Sequence, residues 1–171
     1  MKKIKIALAA LLSVLFIVSC KGGSDTPESA VKAAVEAVKA KNWGAVYEAL
    51  SKDTTAKIET SLKAMINLMA SMAQAGGSED PQVKKMLELK DLTGKDFFVK
   101  LVEANASESD QFMAELNAFE VVKADIQGDK ATVTVKTASK PSEEIPMIKE
   151  DGKWKIDFAA KIAESMQQGG K

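Results

Sequence analysis

The chain has 171 residues, with 24 lysine-plus-arginine and 24 aspartate-plus-glutamate side chains and a formal net charge of zero. It contains no histidine and every basic residue is a lysine, so the usual general base, the commonest metal ligand and the bidentate arginine clamp are all missing. A single cysteine excludes an intramolecular disulfide, and the lack of a basic tract argues against nucleic acid or anionic lipid as a partner.

Lys2, Lys3 and Lys5 open the chain, and an uncharged run from Ile6 to Val18 follows. That run is too short for a helix to cross a bilayer core of about 30 Å, but it suits the apolar core of a signal peptide. Ile17-Val18-Ser19 then precedes the lone Cys20. This pattern resembles the lipobox of bacterial lipoproteins. The resemblance implies that residues 1–19 are removed, that the Cys20 thiol carries a diacylglyceryl group, and that the new amine is acylated. The other reading is an ordinary secretory signal with an incidental cysteine. Two or more acyl chains hold a protein stably on a membrane, since each buried methylene contributes about 0.8 kcal/mol. Removal of residues 1–19 leaves 152 residues carrying 21 lysines and 24 acids, a charge of −3. A chain of that size buries about 70% of its unfolded surface and needs no metal or disulfide to fold.

Residues 20–25 form a short polar tether, and a single domain is expected over 26–166 with a frayed tail at 167–171. Thr26, Pro27 and Glu28 read as N-cap, first helical residue and dipole-favoured acid. Val31, Ala34, Val35 and Val38 repeat at helical spacing, which predicts a first helix to about Lys41. Asn42 caps a second, short helix bearing Trp43, Val46, Tyr47 and Leu50. Asp53 or Thr54 opens a third, with a stripe of Ile58, Leu62, Met65, Ile66, Met69 and Met72 ending at Gly76-Gly77. A further turn of helix from Ser78 places Val83, Met86 and Leu87 inward. Thr93-Gly94-Lys95-Asp96 has the form of a capping box before Phe97, Phe98, Leu101 and Val102, and Ser107 caps a helix with Phe112, Met113 and Leu116.

After Asn117 the period changes to two. Residues 119–127 and 130–138 flank Gly128-Asp129, which predicts a hairpin with Ile126 opposite Ala131, Ala124 opposite Val133 and Val122 opposite Val135. Asp125 with Thr132 and Lys123 with Thr134 take the wet face. A second hairpin turns at Asp151-Gly152 in type I′ geometry, with Ile145, Met147 and Lys149 on the face of Phe158, Ile156 and Trp154. Pro146 belongs at a bulge or with its missing N–H on an edge, and a short helix with Ile162 and Met166 closes the chain.

Helices first and an antiparallel meander last is an α+β pattern. Three stretches carry a further resemblance: Ser24-Asp25-Thr26-Pro27-Glu28-Ser29-Ala30-Val31, the run from Lys41-Asn42-Trp43-Gly44 to Leu50-Ser51, and Glu150-Asp151-Gly152-Lys153-Trp154-Lys155-Ile156. They resemble bacterial lipoproteins with a nuclear-transport-factor-2-like, or cystatin-like, domain. The resemblance implies a curved antiparallel sheet wrapped on N-terminal helices around a conical cavity; the stretch from Gly76 to Asn117 is longer and more helical than that compact pattern, and is expected to be a helical insertion that either covers the cone or replaces a strand. Enzymes of that fold place acids, histidines or tyrosines in the cone; no histidine can match here, and Tyr47 is the only tyrosine.

A carboxylate base in an apolar cavity is the best enzymatic idea, with Glu120 or Glu48 as the acid, against the plainer reading that both lie in water. Met65, Met69 and Met72 share a helix face that suits Cu(I) chemically, but without His or Cys beside them they read as core. Tyr47, Met65, Met69, Phe97 and Trp154 are candidate lining residues of an apolar pocket. No cofactor, metal site or catalytic triad is expected. The leading expectation is a lipid-anchored, non-enzymatic binding or interaction domain on a bacterial cell membrane or outer membrane. Its partners would be the membrane through Cys20 and a small apolar ligand or an envelope protein, with a homodimer through the sheet as one arrangement. A cone-pocket isomerase, cyclase or hydrolase and a scaffolding lipoprotein are the alternatives.

Overall fold

Thr26 starts the first helix as its residue type dictates. In the computed structural model, which describes residues 25–76, 87–105 and 110–168, the Thr26 hydroxyl accepts from the Ser29 N–H at 3.2 Å and Ser29 Oγ accepts from the Thr26 N–H at 3.3 Å. This reciprocal cap and Pro27 at the first position set α1, Pro27–Lys39. Asn42 caps α2, Trp43–Ala49, through its side-chain oxygen and the Ala45 N–H at 3.1 Å. Helix α3, Lys52–Gly76, begins earlier than the expected opening at Asp53 or Thr54, because Ser51 Oγ accepts from the Thr54 N–H at 3.0 Å and takes the capping role. Two further helices, α4 over Gly94–Asn105 and α5 over Asp110–Asn117, fill the stretch before the sheet. The expected capping box at Thr93 is replaced by a tertiary contact: the Gly94 N–H donates to Glu59 Oε2 on α3 at 2.8 Å. Residues 1–24 with Cys20, the expected turn from Ser78 to Met86, the cap at Ser107 and residues 169–171 lie outside the described residues.

The chain ends in a four-stranded antiparallel meander, β1 (Glu120–Gln127), β2 (Lys130–Lys136), β3 (Glu143–Glu150) and β4 (Lys153–Ile156), in the order β1-β2-β3-β4. Helix α6, Ala159–Gln168, follows and extends into what reads as a frayed tail. Both hairpin turns take positive φ where their residues permit it, at Gly128 (64°) and at Asp151 and Gly152 (52° and 78°), the last two as a type I′ turn requires. Ile126 pairs with Ala131 and Ala124 with Val133 as the alternation demands, but Val121 rather than Val122 meets Val135. A bulge between Val121 and Lys123 inserts one residue, so Val122 is the extra one and is 56% exposed. Pro146 lies inside β3, paired with Thr132 on β2. Its carbonyl accepts from the Asp157 N–H at 2.8 Å, just past the end of β4, so its absent N–H falls where no strand needs it.

Two cores result. Ala30, Val31 and Ala34 of α1 pack on one sheet face against Ala131, Val133, Val135, Met147, Trp154 and Ile156. A second cluster, Ile66 of α3, Leu89 and Phe97 of α4, is surrounded by Leu62, Leu87, Leu92 and Leu101. The predicted stripe on α3 therefore holds at Ile66, which is fully buried, and fails at Met65, which is 43% exposed. Phe112 on α5 is likewise 43% exposed. Leu50, expected to extend α2, is instead extended and bridges in parallel to Ile156, while the Ser51 N–H donates to the Ile156 carbonyl at 2.8 Å. This splice joins the first helices to the last strand.

Candidate functional site

Strand register builds a site on the sheet face opposite α1. Asp125, Thr132 and Pro146 form one cross-strand row, and Lys130 with Gln127 and Ile148 forms the next. Because directly paired residues share a face, these side chains line an open groove of about 320 Å³ that is closed at one end by Asp157 and Ala160. Pro146, Ile148 and Ala160 give it an apolar floor; Asp125, Lys130, Thr132 and Asp157 give it polar walls.

Asp157 is held by groups distant in sequence. Its Oδ1 accepts from the Ser51 hydroxyl at 2.9 Å, the Thr54 hydroxyl at 3.2 Å and the Ala159 N–H at 3.3 Å. Thr54 Oγ1 in turn accepts from the Phe158 N–H at 2.9 Å, and Ser51 and Thr54 are both buried. Every one of these bonds reaches Oδ1, which leaves Oδ2 as the oxygen able to meet a ligand in the groove. Sequence reasoning missed this cluster. The available signal was that Ser51 precedes a helix at capping distance, three residues, from Thr54, and that Asp157 stands two residues before Ala159, close to another helix start.

The residues singled out from the sequence do not share one site. Tyr47 is half-buried with its ring 5.6 Å from that of Phe98. Phe97 belongs to the helical core and Trp154 to the sheet core, where Lys149 Nζ lies 5.8 Å from its ring centre. Met65 is exposed and Met69 half-buried on α3, while nothing of the Met72 side chain lies within the described residues. The pocket expected from these five side chains is thus split between two cores and a helix surface.

Neither proposed acid has the environment a buried base needs. Glu48 is exposed, and Lys95 Nζ sits 2.6 Å from its Oε1. The hydrogen bond from Lys95, followed by the Lys95 charge, holds the Glu48 carboxyl below its ordinary value. Burial would push the other way. Lys155 Nζ donates to the Glu48 carbonyl, which ties α2 to β4. Gly44 makes room for the pair, since a Cβ there would lie 2.8 Å from Lys95 Cε. Glu120 is exposed at the start of β1, opposite Lys136.

Among the described residues no group of three or more histidine, cysteine, aspartate or glutamate side chains is placed to hold a metal ion. Ser51 and Thr54, the two hydroxyls bonded to the Asp157 carboxylate, are 1% and 0% exposed and beyond the reach of a substrate. The arrangement can bind: it offers an apolar floor, a fixed carboxylate and a lysine at the open side. Comparison with protein-family models, with curated proteins and with solved structures finds no match to this chain.

Proposed function

We propose that the chain is a bacterial lipoprotein, tethered to a cell-envelope membrane through acyl chains on Cys20, whose α+β domain is of the nuclear-transport-factor-2-like type and binds a small ligand in the groove beside Asp157. The observation that carries the address is the order of residues before Cys20: three lysines, an uncharged run, then Ser19. Two facts support it. Among the described residues no helix is long and apolar enough to cross a membrane, so attachment would fall to the lipid. A free thiol on an exported protein is also hard to explain by any other role, whereas lipidation consumes it.

The groove supports binding over turnover. Its fixed carboxylate Oδ2 is matched to a ligand carrying a donor or a positive charge, and its floor to an apolar body a few carbon atoms long. Wild-type protein grown with labelled fatty acid should incorporate the label, and Cys20→Ser should incorporate none and accumulate as unprocessed precursor. Normal processing and membrane retention of Cys20→Ser would remove the anchor from the proposal. For the ligand, native mass spectrometry of protein purified from its own host should show an added mass that is absent from Thr132→Phe, which fills the groove. An adduct of equal abundance in both would place the ligand elsewhere.

A further inference from the structure

On the reading that the groove is the binding site, we propose that it selects an α,ω-diamino acid, with the α-ammonium on Asp125, the carboxylate on Lys130 and the terminal ammonium on Asp157 Oδ2. The charged lining of the groove is two acids and one lysine: Asp125, Asp157 and Lys130. The acids stand at opposite ends of one cross-strand row. Asp125 pairs with Thr132, and Thr132 with Pro146. Asp157 continues that row, since Ile156 pairs with Met147 and the Asp157 N–H donates to the Pro146 carbonyl. Lys130 lies one row on, on β2, diagonal to Asp125. An acid and a base are thus neighbours at the open end, and a second acid stands alone at the closed end. Asp125 and Lys130 are exposed, and among the described residues neither side chain has a hydrogen-bond or ion-pair partner. Asp157 is fixed through Oδ1 by three donors, so its Oδ2 is presented at a set place.

Spacing selects the length of the ligand. Strands lie about 4.8 Å apart, so the row from β1 to the end of β4 spans about 14 Å between side chains standing off one face. Charge-assisted hydrogen bonds take up about 2.8 Å at each end, which leaves about 9 Å between two ligand nitrogens. The two nitrogens of an extended lysine are joined by six single bonds of about 1.5 Å and stand about 7.5 Å apart, a gap that a small lean of either acid closes. The methylenes between them lie over Pro146, with Ile148 alongside. Lys155, next to Ile148 in its row, donates to the Glu48 carbonyl and is held away from that floor. A monoamine leaves Asp125 and Lys130 unused, and a plain diamine brings a second positive charge beside Lys130 with no anion to meet it. An ω-amino acid leaves Asp125 empty. Two ammonium groups and one carboxylate answer all three side chains, and their single excess positive charge offsets the single excess acid of the lining.

Calorimetric titration of the full chain in non-ionic detergent at low salt reads the selection, with free L-lysine and three analogues that each lack one charge as probes. Lysine should bind most tightly of the four. Norleucine, without the terminal ammonium, leaves the partly buried Asp157 unmatched and should bind about tenfold or more weakly. Cadaverine and 6-aminohexanoate each lose one contact at an exposed partner and should bind about fivefold more weakly. Asp125→Asn should bring lysine down to the level of 6-aminohexanoate while 6-aminohexanoate itself stays within about twofold, and Lys130→Met should weaken lysine about fivefold without weakening cadaverine. Both substituted residues are exposed, so the fold is not at stake, and circular dichroism of each variant checks that. Norleucine matching lysine, either substitution leaving lysine unchanged, or no lysine binding at about 10 mM would each overturn the diamino acid. Binding in the groove as such is decided separately, by whether the host-derived adduct persists in Thr132→Phe.

Discussion

Replacing Thr54 by valine tests whether the Asp157 cluster holds the two halves of the molecule together. Valine has nearly the shape of threonine, so no cavity opens at this fully buried position. Three contacts vanish: the 2.8 Å contact with the Ser51 hydroxyl, which keeps Asp157 Oδ1 as its acceptor, the hydroxyl bond to Asp157 Oδ1 at 3.2 Å and the acceptor for the Phe158 N–H at 2.9 Å; the last two carry the cost. A hydrogen bond to a charged acceptor contributes about 1.5 kcal/mol, and a partly buried orphaned N–H costs about 1 kcal/mol or more. The sum is a loss of about 2–3 kcal/mol, or about 5–10 °C in Tm for a domain of this size. Urea unfolding followed by tryptophan fluorescence measures it. Thr55→Val is the control, because the Thr55 hydroxyl bonds only to carbonyls of its own helix start, at 3.2 and 2.9 Å from Ser51 and Lys52. That change should stay within about 0.5 kcal/mol. If Thr54→Val unfolds at the wild-type midpoint, or Thr55→Val is as damaging, the cluster does not have the role assigned to it.

The Lys95 contact holds the folded Glu48 carboxyl below its ordinary value. Its contribution is therefore present above the unfolded value near 4.5 and disappears as the pH falls through the lower folded value. Both side chains are about half exposed, so Glu48→Gln should cost no more than about 0.5 kcal/mol at pH 7. Denaturation midpoints of the two proteins should converge as the pH falls below the ordinary carboxylate value; a gap that widens in acid would contradict this. Ile66 and Val135 sit in different cores. Ile66→Val should cost about 1 kcal/mol and Val135→Ala about 2 kcal/mol, and the double variant should equal their sum within about 0.5 kcal/mol. A coupling larger than 1 kcal/mol or so would mean that the two clusters form one cooperative core.

Local signals made much of this fold legible in the sequence. Thr26, Pro27 and Asn42 act within three residues of themselves, so capping chemistry located α1 and α2 without tertiary knowledge. The turns at Gly128 and Asp151-Gly152 carried the hairpins, and period-two alternation carried most of their register. The errors share a cause. Val122 was misplaced because a bulge is a property of the pair of strands, and one extra residue shifts the alternation beyond it. The stripe misplaces Met65, which stands in solvent, because helical spacing reports that an apolar face exists but not how wide the partner surface is, and the same holds for Phe112. The Asp157 cluster was invisible because its hydroxyl donors lie 103 and 106 residues away, and no short pattern encodes that meeting.

The parallel bridge from Leu50 to Ile156 also bears on when this protein becomes a folded body. Ribosomes deliver chains from the N-terminus, at about 5–20 residues per second. The segment 50–54 must wait for residues 156–158, more than 100 residues further along, before its backbone and hydroxyls find their places. A nascent chain stopped at Asn117 would hold its helices without any strand to seat α1. Until residues 156–158 have emerged, the segment after α2 has neither its backbone partner nor its carboxylate, and the two halves cannot close on each other.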